Sequence, residues 1–190
     1  MASFVFSAGA GVSGTISGGS GGGTLNYQSY TTNLYVNLLT GVATGTGGIS
    51  AIDAVFGGSG NDILVGTGSG ILLEAGSGND LIIGGSGQAT IDSGSGQDII
   101  IAGSTNYDTN KAALQAIESY WANTSISFAT RIAKLSGPGV SGYKLNPSTV
   151  THANASDTLN LGSANDWVFW RMSGTDADNL TGTPGHSTFI

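Results

Sequence analysis

The sequence predicts a mainly β protein, a β-solenoid of short stacked strands with a short helical insert packed on one sheet. Between residues 57 and 101 an aliphatic residue returns at every ninth position. Each nine-residue row starts with glycine and serine, which suit turns, and ends with residues that favour a strand. Residues 109–135 lose this period and carry apolar residues at helical spacing.

The composition is that of a chain that can bury a core. Glycine is 33 of 190 residues, but 39% of the residues are hydrophobic. The glycine-rich rows at residues 57–101 are therefore not interpreted as a flexible linker. A net charge of −7 argues against nucleic acid as a partner. Cysteine is absent, which excludes disulfides and thiolate metal sites. Because no apolar run is long enough to cross a bilayer, we expect no membrane insertion.

The rows from Gly57 onward are GGSGNDILV, GTGSGILLE, AGSGNDLII, GGSGQATID and SGSGQDIII. Their eighth positions are Leu64, Leu73, Ile82, Ile91 and Ile100. One turn and one strand reverse the chain, so two rows complete one coil and these side chains should point inward from two sheets. Each buried aliphatic side chain contributes roughly 1.5–3 kcal/mol, and no single coil is stable alone.

These rows resemble the hemolysin-type calcium-binding repeats of the repeats-in-toxin family, with the consensus G-G-x-G-x-D-x-U-x. The match is close over residues 57–101, in GGSGND and GSGNDLIIGGSG, and loose elsewhere. The resemblance implies a right-handed parallel β-roll in which calcium lies between stacked turns, bound by turn carbonyls and the sixth-position aspartate. It also implies an extracellular or cell-surface location, reached by type I secretion.

The sixth position reads Asp62, Ile71, Asp80, Ala89 and Asp98 along the five rows. The aspartates occur only in odd rows, and odd rows turn on the same edge. We therefore expect the three carboxylates to stack in one column at the sheet spacing of about 4.8 Å. Carboxylates that close repel by roughly 3 kcal/mol at an effective dielectric near 20.

A bridging Ca²⁺ would turn this repulsion into attraction, and the resemblance implies up to two ions, on either side of Asp80. The implied metal site consists of Asp62, Asp80, Asp98, Gly58, Gly60, Gly76 and Gly78. The alternative is a ladder without metal, in which the aspartates together with Asn61 and Asn79 accept hydrogen bonds from turn amides.

Outward positions seven and nine are aliphatic in the odd rows, for example Ile63 and Val65. One sheet is thus apolar on both faces, and such a face must be covered. Residues 109–122 and 126–135 have apolar residues at helical spacing. The sequence therefore predicts two helices that cover this sheet.

We interpret residues 1–190 as a single domain with degenerate rows at 1–56, close repeats at 57–104, the insert at 105–136 and returning β rows at 137–190. In the last segment Asp157 and Asp166 lie nine residues apart and are expected on opposite edges. The segment GTDADN, residues 174–179, contains a weak oxygen cluster of Asp176, Asp178 and Asn179, and we interpret it as a solvated turn. His152 and His186 are expected in surface or turn positions.

The sequence contains no catalytic motif that spacing can assign, so we expect no enzyme. We expect an extracellular structural protein that self-assembles into fibres or a surface layer. The proposed contact joins residues 3–6 of one copy to a terminal strand such as residues 167–170 of the next.

The alternative is a calcium-dependent adhesin or carbohydrate-binding module, or a secretion-linked C-terminal module of a larger protein. A polysaccharide partner would need accessible aromatic side chains. The candidates are Tyr27, Tyr30, Tyr35, Trp121, Trp167 and Trp170.

Overall fold

The computed structural model describes residues 1–68, 70–162 and 164–190. The strands in chain order are β1 (Ala2–Val5), β2 (Thr15–Ser17), β3 (Gly23–Asn26), β4 (Tyr35–Asn37), β5 (Val42–Ala43), β6 (Gly48–Ser50), β7 (Ala54–Phe56), β8 (Ile63–Val65), β9 (Ile71–Glu74), β10 (Leu81–Ile83), β11 (Ala89–Asp92), β12 (Ile99–Ile101), β13 (Gly103–Thr105), β14 (Val150–His152), β15 (Thr158–Asn160), β16 (Trp167–Trp170), β17 (Asn179–Thr181) and β18 (His186–Phe189). The helices are α1 (Lys111–Trp121) and α2 (Phe128–Ser136).

Two seven-stranded sheets form most of the molecule. The first sheet has the order β1-β3-β7-β9-β11-β15-β17, and all its neighbours run parallel. The second sheet has the order β18-β16-β12-β10-β8-β4-β5. Successive odd rows pair in register in the second sheet, where Leu81 lies between Ile63 and Ile99.

The predicted fold class, a right-handed parallel β-solenoid of the β-roll type, is wrong. The second sheet is mixed, because β5 pairs antiparallel with β4. Two further two-stranded sheets are present, antiparallel β13-β14 and parallel β2-β6. The physical reason is that the nine-residue repeat covers only part of the chain. Before it, Thr24 pairs with Ala54, so the segment between them forms extra strands.

The space between the two large sheets is filled by the eighth-position side chains. Leu64, Leu73, Ile82, Ile91 and Ile100 are all fully buried there, as the sequence predicts. The second sheet is buried on its other face as well, which explains why its strands are aliphatic at consecutive positions.

The two helices cover the outer face of the second sheet. Asn110 caps α1 by accepting the N–H of Ala113, and Ser127 caps α2 by accepting the N–H of Thr130. Leu114, Ile117 and Trp121 share one buried cluster with Ile63, Leu81 and Ile99. This contact confirms the predicted helical cover, and neither helix is long and apolar enough to cross a membrane.

Helix α1 crosses the strands of the second sheet. At its start the Lys111 ammonium lies 4.6 Å from the centre of the Tyr35 ring, beside β4. At its end the indole N–H of Trp121 donates a 2.6 Å hydrogen bond to the carbonyl of Gln97, just before β12. Eleven residues extend about 16 Å, which matches three strand spacings.

Candidate functional site

Four aspartates form a buried column at one edge of the second sheet. Asp62, Asp80 and Asp98 directly precede β8, β10 and β12, and their stacking confirms the expected column. Asp166 precedes β16 and is the fourth member. All four side chains are fully buried. We call this set the aspartate column.

In each aspartate of the column, one carboxyl oxygen accepts a hydrogen bond from a backbone N–H of the neighbouring row. Oδ1 of Asp62 accepts the N–H of Leu34 at 2.8 Å, and Oδ1 of Asp80 accepts the N–H of Asp62 at 2.6 Å. Oδ1 of Asp98 accepts the N–H of Asp80 at 2.8 Å, and Oδ1 of Asp166 accepts the N–H of Asp98 at 3.0 Å. The side chains therefore replace ladder bonds where the strands turn.

Gly58 and Gly76, which are among the implied calcium ligands, also take part in hydrogen bonds through their backbone groups. The N–H of Gly58 donates to Oδ2 of Asp62 at 3.1 Å. The carbonyl of Gly58 accepts the N–H of Ser77 at 2.9 Å, and that of Gly76 accepts the N–H of Ser95 at 2.8 Å. Each carbonyl keeps a second lone pair.

The turns stack in direct backbone contact. Gly78 has a φ of +135°, and a Cβ added there would lie 2.0 Å from the carbonyl oxygen of Gly60. Only glycine fits such a position.

A second ladder of asparagines runs beside the column. Oδ1 of Asn33 accepts the N–H of Asn61 at 3.0 Å. Oδ1 of Asn61 accepts the N–H of Asn79 at 2.8 Å, and Oδ1 of Asn79 accepts the N–H of Gln97 at 3.0 Å. These hydrogen bonds are those of the ladder alternative, in which turn amides are the partners of the aspartates and asparagines.

The ladder leaves part of the column's charge uncompensated. Oδ2 of Asp80 and Oδ2 of Asp98 are buried and have no hydrogen-bond partner among the described residues. Burial, with repulsion from Asp98, raises the pKa of Asp80 to about 9. Burial likewise raises the pKa of Asp98 to about 8, and those of Asp62 and Asp166 to about 6. The salt bridges within residues 1–68, 70–162 and 164–190 involve His152 and Arg171, and none reaches the column.

The unpartnered oxygens fit either protons or a cation. No group of three or more His, Cys, Asp or Glu side chains in the described part of the chain is arranged to hold a metal ion. A cation in the column would thus have at most two carboxylates, and backbone carbonyls would complete its shell. Ca²⁺ accepts this kind of all-oxygen ligand set.

Glu118 of α1 adds a fifth carboxyl close to the column. Its side chain is buried, and Oε1 has no hydrogen-bond partner in the part of the chain that the structure describes. Burial, together with the charge of Asp62, raises its pKa to about 7. The repeat pattern does not predict this residue. The available signal was its position within the apolar stripe, one helical turn after Leu114.

Asp157 lies on the opposite edge from Asp166, as expected. It precedes β15 of the first sheet, and its Oδ1 accepts the N–H of Ala89 at 2.6 Å. Its own N–H donates to Oδ1 of Asp178 at 2.9 Å. A shorter ladder of the same kind therefore exists at this edge.

Asp178 is buried, so the interpretation of its segment as a solvated turn is wrong for this residue. Its carboxyl lies 3.2 Å from Nε2 of His152 and accepts the N–H of Arg171 at 2.8 Å. His152 is buried as well, contrary to expectation, because β14 brings it beneath this carboxyl. His186 is exposed, as expected, and Asp176 pairs with Arg171 at 3.1 Å.

The candidate sugar-binding aromatic residues are mostly core residues. Five of them are buried, namely Tyr27, Tyr30, Tyr35, Trp121 and Trp167. Trp170 is partly buried and packs against the interior. The carbohydrate-binding alternative therefore loses the accessible aromatic surface on which it depended.

The first sheet ends at β1 on one side and at β17 on the other, and β18 ends the second sheet. Residues 167–170, expected to be a terminal strand, lie inside the second sheet because β16 pairs with both β12 and β18. That strand is therefore not available to another copy, and this part of the assembly prediction is wrong.

Comparisons with protein-family models, with curated proteins and with solved structures give no significant match. The resemblance to hemolysin-type calcium-binding repeats stays a prediction that depends on residues 57–101.

Proposed function

We propose that the protein is a non-enzymatic structural subunit that self-assembles end to end. The observation that carries this proposal is that, among the described residues, the first sheet has an unpaired strand edge at each end, β1 on one side and β17 on the other. Apolar side chains are exposed near these edges. Val5 of β1 is 72% exposed, and Phe189 is 54% exposed on β18, the edge strand of the second sheet. An unpaired edge beside exposed apolar groups is a template for another chain.

The distribution of charge also supports assembly. Only 9% of the residues are charged, so repulsion between copies is weak. The strands β1 and β17 carry no charged residue, whereas strands that protect an edge usually do. The partner is therefore a second copy of this chain in our proposal.

The buried carboxyls support a structural role rather than catalysis. Oδ1 of each member of the aspartate column is occupied by a backbone N–H, and the side chains are fully buried. We propose that up to two Ca²⁺ ions neutralise the column, one between Asp62 and Asp80 and one between Asp80 and Asp98. Carbonyls of Gly58, Gly60, Gly76 and Gly78 are proposed to complete the shell. Bound calcium would supply the column with positive charge, which no salt bridge among the described residues supplies.

The proposed location is extracellular or at the cell surface, with type I secretion as the route. This part depends on the resemblance of residues 57–101 and on the fit of Ca²⁺, which is far more abundant outside cells than inside.

The test is the mass and shape of the purified protein. We expect light scattering to give a mass that grows with concentration, and negative-stain microscopy to show filaments or a layer, in buffer with millimolar Ca²⁺. The same measurements in EGTA determine whether assembly needs calcium. A monomer at every concentration in both buffers would overturn the proposal.

A further inference from the structure

We propose that β1 of one copy pairs in parallel with β17 of the next, with Phe4 opposite Leu180. This inference rests on the proposed end-to-end assembly and names its contact. It would extend the first sheet from one copy into the next.

The register follows from a column of inward side chains in the first sheet. Each member pairs directly with the next across six strand pairs. The column is Phe4, Leu25, Val55, Leu73, Ile91, Leu159 and Leu180. The inner members are fully buried, whereas Phe4 and Leu180 at its two ends are only partly buried. Pairing β17 of one copy with β1 of the next would bury both Leu180 and Phe4.

The backbone of β1 has hydrogen-bonding groups to offer at its outer edge. The N–H of Ala2 donates to Gly22 and that of Phe6 donates to Asn26, so even-numbered residues face β3. In a parallel strand alternate residues face opposite neighbours. The N–H and carbonyl groups of Ser3 and Val5 therefore point away from the sheet.

The backbone of β17 offers the complementary groups. The N–H of Asn179 donates to Asp157 and the carbonyl of Thr181 accepts from Leu161, so both residues face β15. The N–H and carbonyl of Leu180 point outward. With Leu180 opposite Phe4, its N–H meets the carbonyl of Ser3 and its carbonyl meets the N–H of Val5, as a parallel ladder requires.

The surface beside β1 has a shape that a neighbouring copy can fill. An open groove of about 590 Å³ lies between β1 and β2. Its lining includes Phe4, Phe6, Val12 and Ile16. In the proposed contact Leu180 covers Phe4 at the rim of this groove, so the apolar interior continues across the junction.

The chain lacks cysteine, so disulfide trapping gives a direct test. In the proposed register Val5 lies opposite Thr181, and both side chains are exposed. Neighbouring parallel strands are about 4.8 Å apart, which is within the Cα separation that a disulfide allows. We expect the double variant Val5→Cys, Thr181→Cys to form a ladder of covalent multimers on a non-reducing gel after mild oxidation.

The matched control is Val5→Cys with Asn179→Cys. It moves one thiol two residues along the strand, to a Cα separation of about 8 Å, too far for a disulfide. Equal crosslinking of both pairs, or none in particles that still form, would overturn the register and leave assembly standing. Monomers throughout would overturn both. Val5→Pro provides a second test, because it removes an outward N–H without touching the bonds to β3, and it should reduce assembly at least tenfold.

Discussion

The backbone N–H of Asp62 donates a 2.6 Å hydrogen bond to Oδ1 of Asp80, eighteen residues further along the chain. A side chain thus continues the strand ladder into the turn, where backbone groups alone would be left unpaired. The same arrangement places several carboxyls in an apolar interior. The backbone of the turn is therefore hydrogen-bonded by these side chains. Its stability depends on whether protons or a cation neutralise the carboxyls.

The first prediction concerns pH. Burial raises the pKa of Asp80 to about 9 and that of Asp98 to about 8, whereas an unfolded aspartate titrates near 3.9. Below the unfolded pKa both states are protonated, and stability is lost as pH rises through the folded values. In EGTA the melting temperature should be higher at pH 5 than at pH 8.5. A melting temperature that stays constant or rises from pH 5 to pH 8.5 would contradict the prediction that the column is protonated in the folded protein.

The second prediction concerns calcium. In EGTA at pH 8, Asp80→Asn should stabilise the protein, because the amide keeps the acceptor for Asp62 and, unlike a carboxyl with a pKa of about 9, does not have to take up a proton to be buried. In millimolar Ca²⁺ the wild type should be more stable than Asp80→Asn. Only the wild type keeps both carboxylates of each proposed calcium site. At a free concentration one hundred times Kd, binding adds about 2.7 kcal/mol.

Paired thermal melts of wild type and Asp80→Asn measure this reversal. Asp62→Asn is the matched variant, and it should lose less in calcium because Asp80 belongs to both implied sites. If added Ca²⁺ leaves the midpoint of stripped wild-type protein unchanged, the aspartates act as a ladder alone.

The column illustrates how much the sequence could predict. Eighteen-residue spacing was enough to place Asp62, Asp80 and Asp98 together, because a fixed period maps directly onto strand stacking. Asp166 was predicted to lie on the opposite edge from Asp157 but was not assigned to the column, because the insert separates it from Asp98 by 68 residues. No local signal shows that the chain returns to the same edge.

The errors have a common physical cause. The β-roll class failed at β5, where the chain reverses after β4 and pairs with it antiparallel. Asp178 and His152 lie in polar segments that give no sign of burial, yet β14 and β17 bring them together. These features depend on contacts between distant segments outside the repeats, and the period says nothing about them.

The third prediction tests the helical cover. The Trp121 side chain is fully buried, contacts Trp167 with ring centres 5.9 Å apart, and lies 4.5 Å from the guanidinium of Arg131. Trp121→Ala should reduce the free energy of unfolding by about 3–5 kcal/mol. Trp121→Phe, which loses mainly the bond to Gln97, should cost about 1 kcal/mol. Urea unfolding measures both, and equal losses would mean that packing is not the main contribution.

The fourth prediction concerns the stacked turns. Gly78→Ala places a methyl group against Gly60 in a backbone conformation that alanine rarely adopts, so we expect loss of cooperative unfolding or a large drop in midpoint. Gly14→Ala is the control, since its Cβ would have no neighbour within 4 Å. It should change stability by less than about 1 kcal/mol. Similar midpoints for the two variants would show that the turns can separate at little cost.

The last prediction concerns Glu118, whose buried carboxyl lies on the helix that covers the second sheet. Burial and the charge of Asp62 raise its pKa to about 7, so at pH 8 in EGTA it is ionised at a cost to the folded state. Glu118→Gln removes that charge and keeps the shape, and it should raise the melting temperature more at pH 8 than at pH 5, where the folded carboxyl is already protonated. Glu74→Gln, on the first sheet and away from the column, should change neither value. The decisive measurement is the difference between the two variants across pH. A gain for Glu118→Gln that is equal at both pH values would mean that improved helix packing, rather than charge, connects α1 to the aspartate column.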